Sequence, residues 1–370
     1  MIAVMSDSEP LASATKRLLD AMIADRATPG LQYAFVSADA VLFCHYGGSA
    51  DLRAHRATTE HTTFNAYSVT KTFTAAATLR LAEQHGLDLD RPMANHLERW
   101  PAIGKATIRQ TLLHTGGFAN PNPLRWVHRV DDGDAFDRAR FVEDVLRAHG
   151  CPVSTPGTRC VYSNIGYLVL GELIEHVSGQ PYVDYVQQHL LQPLGLRDGE
   201  TLGFDIPHSG DHARGTLRRL GALDLVLGFF IDRDRLVEGN AGRWVQFRNL
   251  NVNGEAYGGL IGNVPGFVRY LQALLSGGFP SRATRALLFA AESAPGPARS
   301  LGWFMGRLGS EPWFAHAGGG PGYYCEARVY PRVGRASVVM LNRTGLRDVR
   351  MLDRLDRPLL ARRDTVRSAS

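Results

Sequence analysis

Ser68-Val69-Thr70-Lys71 opens an alanine-rich run that continues to His85 and stops at Gly86. The run carries few charges before Arg80, so it reads as a helix from Ser68 to His85, apolar on most sides and buried in the centre of a domain. Residues at i and i+3 share a helix face, which brings the Lys71 amine within reach of the Ser68 hydroxyl. Burial disfavours the ammonium and lowers its pKa toward a base useful near neutrality. The helix N-terminus adds positive potential where an oxyanion would form. The same spacing recurs at Ser13-Ala14-Thr15-Lys16, but that lysine stands beside Arg17 on an amphipathic helix, a surface position. Lys16, Lys71 and Lys105 are the only lysines in a chain that otherwise uses arginine. At position 71 a guanidinium would stay charged and could not act as a base.

Outward from that helix, the chain has 370 residues, 44% hydrophobic and 21% charged, long enough for two packed domains. Residues Ala12 to Ala27 form a helix ended by Thr28-Pro29-Gly30. Leu31 to Ser37 and Ala40 to Tyr46 read as a hairpin, as do Ala327 to Tyr330 and Arg335 to Leu341. The stretch from about 88 to 200 reads as mainly helical. Strands at both ends with helices between them predict one sheet assembled from both termini around a helical insert.

The net charge of +5 is unevenly placed, with eleven arginines against four aspartates from Arg328 onward. Arg347, Arg350, Arg354 and Arg357 fall at helical spacing among Asp348, Asp353 and Asp356, the pattern of a solvated helix face rather than a nucleic-acid surface. No stretch approaches the roughly 18 apolar residues of a membrane span, and the N-terminus lacks a secretion-signal pattern, so a cytoplasmic location is expected. Cys44, Cys151, Cys160 and Cys325 lack metal-like pairing and read as buried thiols. No His-Glu-x-x-His, Walker loop or complete Gly-x-Ser-x-Gly elbow occurs, which sets aside zinc proteases, phosphate-cradling enzymes and standard α/β-hydrolases. No metal or organic cofactor is called for.

Two further clusters carry chemistry. In Tyr162-Ser163-Asn164, a tyrosine can serve as acid or base and an asparagine amide can bind an acyl or amide group. In His316-Ala317-Gly318-Gly319-Gly320, expected on or beside a sheet-edge strand, the glycines allow close backbone approach and free N–H groups could bind an oxyanion.

With these three clusters in this order, the chain resembles the serine β-lactamase-like superfamily: penicillin-binding proteins, class C β-lactamases, D-amino-acid peptidases and family VIII carboxylesterases. Ser-x-x-Lys is a known signature of that group. The resemblance also runs through Thr107 to Phe118, Val177-Ser178-Gly179-Gln180-Pro181, Gln192-Pro193-Leu194-Gly195-Leu196 and Ala256-Tyr257-Gly258-Gly259-Leu260, and covers roughly residues 30 to 200 and 255 to 345. It implies a β-lactamase-like α/β fold: an antiparallel sheet flanked by helices, built from residues 1–87 and 255–370, with a mainly helical insert at 88–254 that includes a variable segment at 215–254. The site would lie in the cleft between them.

By the same resemblance Ser68 is the acylated nucleophile, Lys71 and Tyr162 are the proton-transfer pair, and Asn164 contacts the substrate side chain. The backbone N–H groups of Ser68 and Gly319 form the oxyanion hole, with His316 and Gly318 in the same substrate-binding motif. His316 stands where most β-lactamases carry lysine. A histidine is mostly neutral near pH 7, so the fixed positive charge for a substrate carboxylate is missing. The expected activity is therefore hydrolysis of a small-molecule ester with small or medium acyl groups. The alternatives are a D-amino-acid peptidase or amidase, an acyltransferase, a β-lactamase, and a non-catalytic binding protein. Glu83 and Glu172 are expected at the surface rather than as deacylating bases. The apolar run Leu223 to Ile231 reads by default as a buried element, and alternatively as a lid or acyl pocket over the cleft.

Overall fold

Every residue of strand β1, Gly30–Val36, is buried. A strand without polar alternation must be covered on both faces. Leu31, Tyr33 and Phe35 turn into one apolar core, while Ala34 and Val36 turn into the other. The computed structural model describes residues 9–121, 126–207, 210–222, 224, 231–344 and 350–361.

Seven strands join β1 in one antiparallel sheet: β2 (Val41–Asp51), β3 (Arg56–Ala57), β4 (Arg299–Ser300), β5 (Trp303–Leu308), β6 (Glu311–Gly320), β7 (Tyr323–Tyr330) and β8 (Arg335–Leu341). Their spatial order is β4-β5-β6-β7-β8-β1-β2-β3. The register Leu31↔Leu341 closes the sheet between the early and late parts of the chain, as expected.

Five helices set the layers: α1 (Glu9–Ala24), α2 (Thr70–His85), α3 (Asn164–Ser178), α4 (Val264–Ser276) and α5 (Met351–Leu360). α1 and α5 pack together over one face, with Leu19, Leu352 and Leu355 meeting Leu31, Tyr33 and Phe35. α4 covers β1 and β8 on the other face, and α2 packs against α3 beyond it. α2 is buried from Thr70 through Leu79 and ends at Gly86, which is left-handed at φ 63° and donates its N–H to Ala82 O. The hydroxyls on this buried helix are satisfied by carbonyls: Thr72 by Val69 at 2.9 Å, Thr74 by Ala256 at 2.6 Å and Thr78 by Thr74 at 2.8 Å. Among the described residues no helix is long and apolar enough to cross a membrane.

The structure corrects the sequence reading of the charged helix, of the thiols and of the glycine strand. The charged helix near the C-terminus is not solvated all round: Arg354 and Arg357 face water, but Asp356 is fully buried and Asp353 pairs with the buried Arg328. Asp356 accepts hydrogen bonds from Tyr33 (2.7 Å), Tyr330 (2.7 Å) and Ser337 (2.6 Å), so the sheet supplies the partners that make its burial tolerable. Of the four thiols only Cys325 is buried; Cys44 and Cys151 are exposed, Cys160 is intermediate, and none is bridged. β6 is an inner strand, because β5 and β4 lie outside it. Its last pair with β5 toward the glycines is Phe304↔Ala315, however, so residues 316–320 keep one backbone edge free of that neighbour. In the apolar run, Asp224 and Ile231 are buried, and the rest lies outside the described residues.

Removing the Asp356 carboxylate strands three buried hydroxyls, each at a cost of about 1–3 kcal/mol. Asp356→Ala is expected to lower unfolding free energy in urea by at least about 3 kcal/mol, and Asp356→Asn, which keeps one acceptor oxygen, by less. A loss under about 1 kcal/mol for the alanine variant would contradict this account of the α5 dock.

Candidate active site

The turn before α2 is held in an uncommon shape. Tyr67 has φ 45°, rare for a residue with a side chain, and is fixed by its hydroxyl on Pro321 O (2.7 Å) and its ring against Tyr323 (6.1 Å). This single 3-10 turn, Tyr67–Val69, presents Ser68 at the N-terminal end of the buried helix.

The glycines of β6 differ in purpose. A Cβ on Gly318 would lie 2.1 Å from Ala66 O and 2.8 Å from Ser68 N, and one on Gly320 would lie 2.7 Å from the Tyr67 ring. Only glycine lets β6 approach the Ser68 turn this closely. Gly319 meets nothing where a Cβ would stand, and it lines the same cavity as Ser68.

Lys71 is fully buried one helical turn past Ser68. Its Nζ lies 3.3 Å from Ser68 Oγ, 2.8 Å from Asn164 Oδ1 and 2.7 Å from Tyr257 O. None of these partners is an anion, and burial drives the Lys71 pKa well below the ordinary lysine value. A neutral amine has two N–H donors and one lone pair. With the proton lost, the two carbonyl-type acceptors would take both donors and the lone pair would be left facing the serine hydroxyl, which in the fully protonated form accepts from Nζ instead. Tyr162, Tyr167 and Tyr257 place ring faces 5.0, 5.4 and 5.4 Å from Nζ, so a proton taken up there is partly stabilised by aromatic quadrupoles.

Tyr162 precedes Ser163, whose Oγ accepts from Gly166 N (3.1 Å) and caps α3, so Asn164 enters the site as the first helical residue. Burial raises the Tyr162 pKa, against a smaller opposing pull from its hydrogen bond with Ser68, so the phenol stays protonated. Ser68, Tyr162, Asn164 and Gly319 line one side of a cavity of about 210 Å³; Trp126, Val127, Val252 and Tyr257 line the other.

Two sequence-predicted residues stand behind that wall. Gly318 touches the 66–68 backbone, and His316 is buried against Phe304, with its Nδ1 on Ala317 O (2.9 Å) and its Nε2 without a partner. Burial pushes the His316 pKa down to about 3, so it carries no charge. Glu83 is exposed as expected. Glu172 is not: it is half-buried and accepts from Trp100 Nε1 at 3.1 Å. Neither lines the described cavity. Sequence reasoning missed the Tyr257 carbonyl, because a backbone group leaves no signature in residue type.

A family model described as Beta-lactamase matches residues 15–361. The chain belongs to the Beta-lactamase family. This family member is 28% identical to Penicillin-binding protein 4* of Bacillus subtilis (strain 168), over 76% of this chain and 61% of that protein. It is 30% identical to Esterase EstB of Burkholderia gladioli, over 52% of each chain. The Beta-lactamase-family chain thus spans about half to three-fifths of the length of these curated relatives. In fold it resembles the D-amino acid amidase from Ochrobactrum anthropi SV3 complexed with D-phenylalanine, with a TM-score of 0.80 at 21% identity, over 95% of this chain and 100% of that one.

The unequal glycines give a direct check. Gly318→Ala forces apart two backbones and is expected to cost about 1–3 kcal/mol or more in denaturant unfolding, while Gly319→Ala leaves the midpoint in place. Equal effects would contradict the described approach of β6 to Ser68.

Proposed function

We propose that this protein is a serine hydrolase that forms an acyl-enzyme on Ser68 and passes the acyl group to water, with uncharged carboxylic esters of small or medium acyl groups as substrates. The observation that carries the chemistry is the buried Lys71 amine, whose two donors go to Asn164 Oδ1 and Tyr257 O while Ser68 Oγ lies 3.3 Å away.

Lys71 then takes the hydroxyl proton as Ser68 Oγ attacks the ester carbonyl. The Ser68 and Gly319 N–H groups receive the developing oxyanion. The Tyr162 phenol gives its proton to the departing alkoxide, and Lys71 passes the proton taken from the serine on to Tyr162, so both groups return to their starting protonation states. A water activated by the same pair releases the acid and restores Ser68. The two opposite pKa shifts support this division of roles: Lys71 is poised as the base and Tyr162 as the acid.

Support for esters comes from charge. Among the described residues no lysine, arginine, aspartate or glutamate lines the cavity, and His316 is neutral. A substrate carboxylate or α-ammonium therefore finds no counter-charge there. Val127 and Val252 sit opposite each other on paired strands and bound the acyl side. The reading also divides the chain into an α/β domain of 1–87 with 255–370 and an insert of 88–254.

A fluorophosphonate is expected to add its mass to the Ser68 peptide alone. p-Nitrophenyl esters of short acyl groups should turn over faster than a D-alanyl amide or a chromogenic cephalosporin. The acid limb of kcat/KM should report Lys71: activity rises with pH as the ammonium gives up its proton, at a midpoint well below the usual lysine range. Label on Ser13, or preference for the amide, would overturn the reading.

A further inference from the structure

The Tyr162 segment is held by a residue that the proposed chemistry does not use. His114 is buried, follows the short helix Ile108–Leu112, and has φ 59°. Its carbonyl accepts the N–H of Val161 at 2.9 Å, and its Nδ1 accepts the N–H of Ser163 at 3.2 Å. Its ring lies 4.4 Å from the Tyr162 ring, tilted by 37°. One residue therefore grips Tyr162 from the peptide before it, the peptide after it and the side chain itself.

The grip is rigid from the far side as well. The His114 ring rests on Tyr167 at 5.2 Å, and the Tyr167 hydroxyl donates to Leu112 O at 3.2 Å. His114 N donates to Thr111 O at 3.1 Å, which ties the left-handed residue to the end of its helix. Among the described residues no other side-chain acceptor fixes the Ser163 N–H, and Ser163 is the cap that starts α3 and so places Asn164.

We propose that His114 is the positioning residue for Tyr162, holding the phenol oxygen at Ser68 through an unprotonated Nδ1 that serves as acceptor for the Ser163 N–H. The acceptor role requires a lone pair at Nδ1. Burial, with the nearby Arg299 guanidinium acting in the same direction, holds the His114 pKa well below the ordinary value, so that lone pair is retained. A displacement of about 1 Å at a proton-transfer group costs on the order of 100-fold in rate. The inference rests on the reading of Tyr162 as the proton donor.

The test is a double-mutant cycle read by the burst of p-nitrophenol from p-nitrophenyl butyrate, which follows Ser68 acylation. His114→Ala is expected to slow acylation by about 100-fold with KM nearly unchanged. In a Tyr162→Phe background the same change should cost less than about threefold, because the group it positions is already gone. His114→Asn keeps an acceptor and tolerates the left-handed backbone, so it should stay within about fivefold of the parent. His114→Phe keeps a ring without an acceptor and should be slowed like the alanine variant, and this pair decides the matter where His114→Ala does not fold. Equal losses in both backgrounds, or a fully active His114→Phe, would overturn the inference alone. A Tyr162→Phe protein that acylates at the parent rate would overturn the reading of Tyr162 and the inference with it.

Discussion

The site depends on one buried amine that has no anion to balance it. Burying an isolated ammonium is costly enough that the group sheds its proton instead. Lys71 is surrounded by an amide oxygen, a backbone carbonyl and a serine hydroxyl, all neutral. Each comes from a different part of the chain: the 3-10 turn before α2, the start of α3 and the short helix Glu255–Gly258. Because those elements also form the core around α2, the packing that stabilises the fold is the packing that sets the basicity of the amine.

A second constraint follows from geometry. The Ser68 turn and β6 approach each other at backbone distance, as the proposed pair of N–H donors on one oxygen requires. Gly318 and Gly320 remove the side chains that would prevent it, and Tyr67 accepts a positive φ to turn Ser68 into the cavity. The free backbone edge at 316–320 arises because β5 stops pairing with β6 at Ala315, so an inner strand supplies what an edge strand would.

The features legible in the sequence were those written in local pattern. The helix from Ser68 to Gly86, the two hairpins, the surface copy of the motif and the proximity of Ser68 to Lys71 all follow from spacing and turn residues. Lys16 is indeed exposed and pairs with Asp20 one turn on. What was not legible depended on distant partners. Asp356 reads as a solvated charge until Tyr33 is placed beside it across the sheet. His114 carries no signal of its own in the sequence, because its partners Val161 and Ser163 arrive on it from nearly fifty residues away. Glu172 hides under Trp100 in the same way. His316 and Gly318 enter as substrate contacts by their place in a motif, and residue type does not reveal that Gly319 and Gly320 line the described cavity while these two do not.

The most direct measurement uses the scarcity of lysine. With three lysines in the chain, an NMR titration of isotope-labelled lysine side chains gives few signals, and loss of one in Lys71→Met assigns it. The account predicts a Lys71 midpoint well below the unperturbed lysine value of about 10.4. A midpoint at or above that value would mean that Lys71 is a cation in the resting protein, and the central claim would fail.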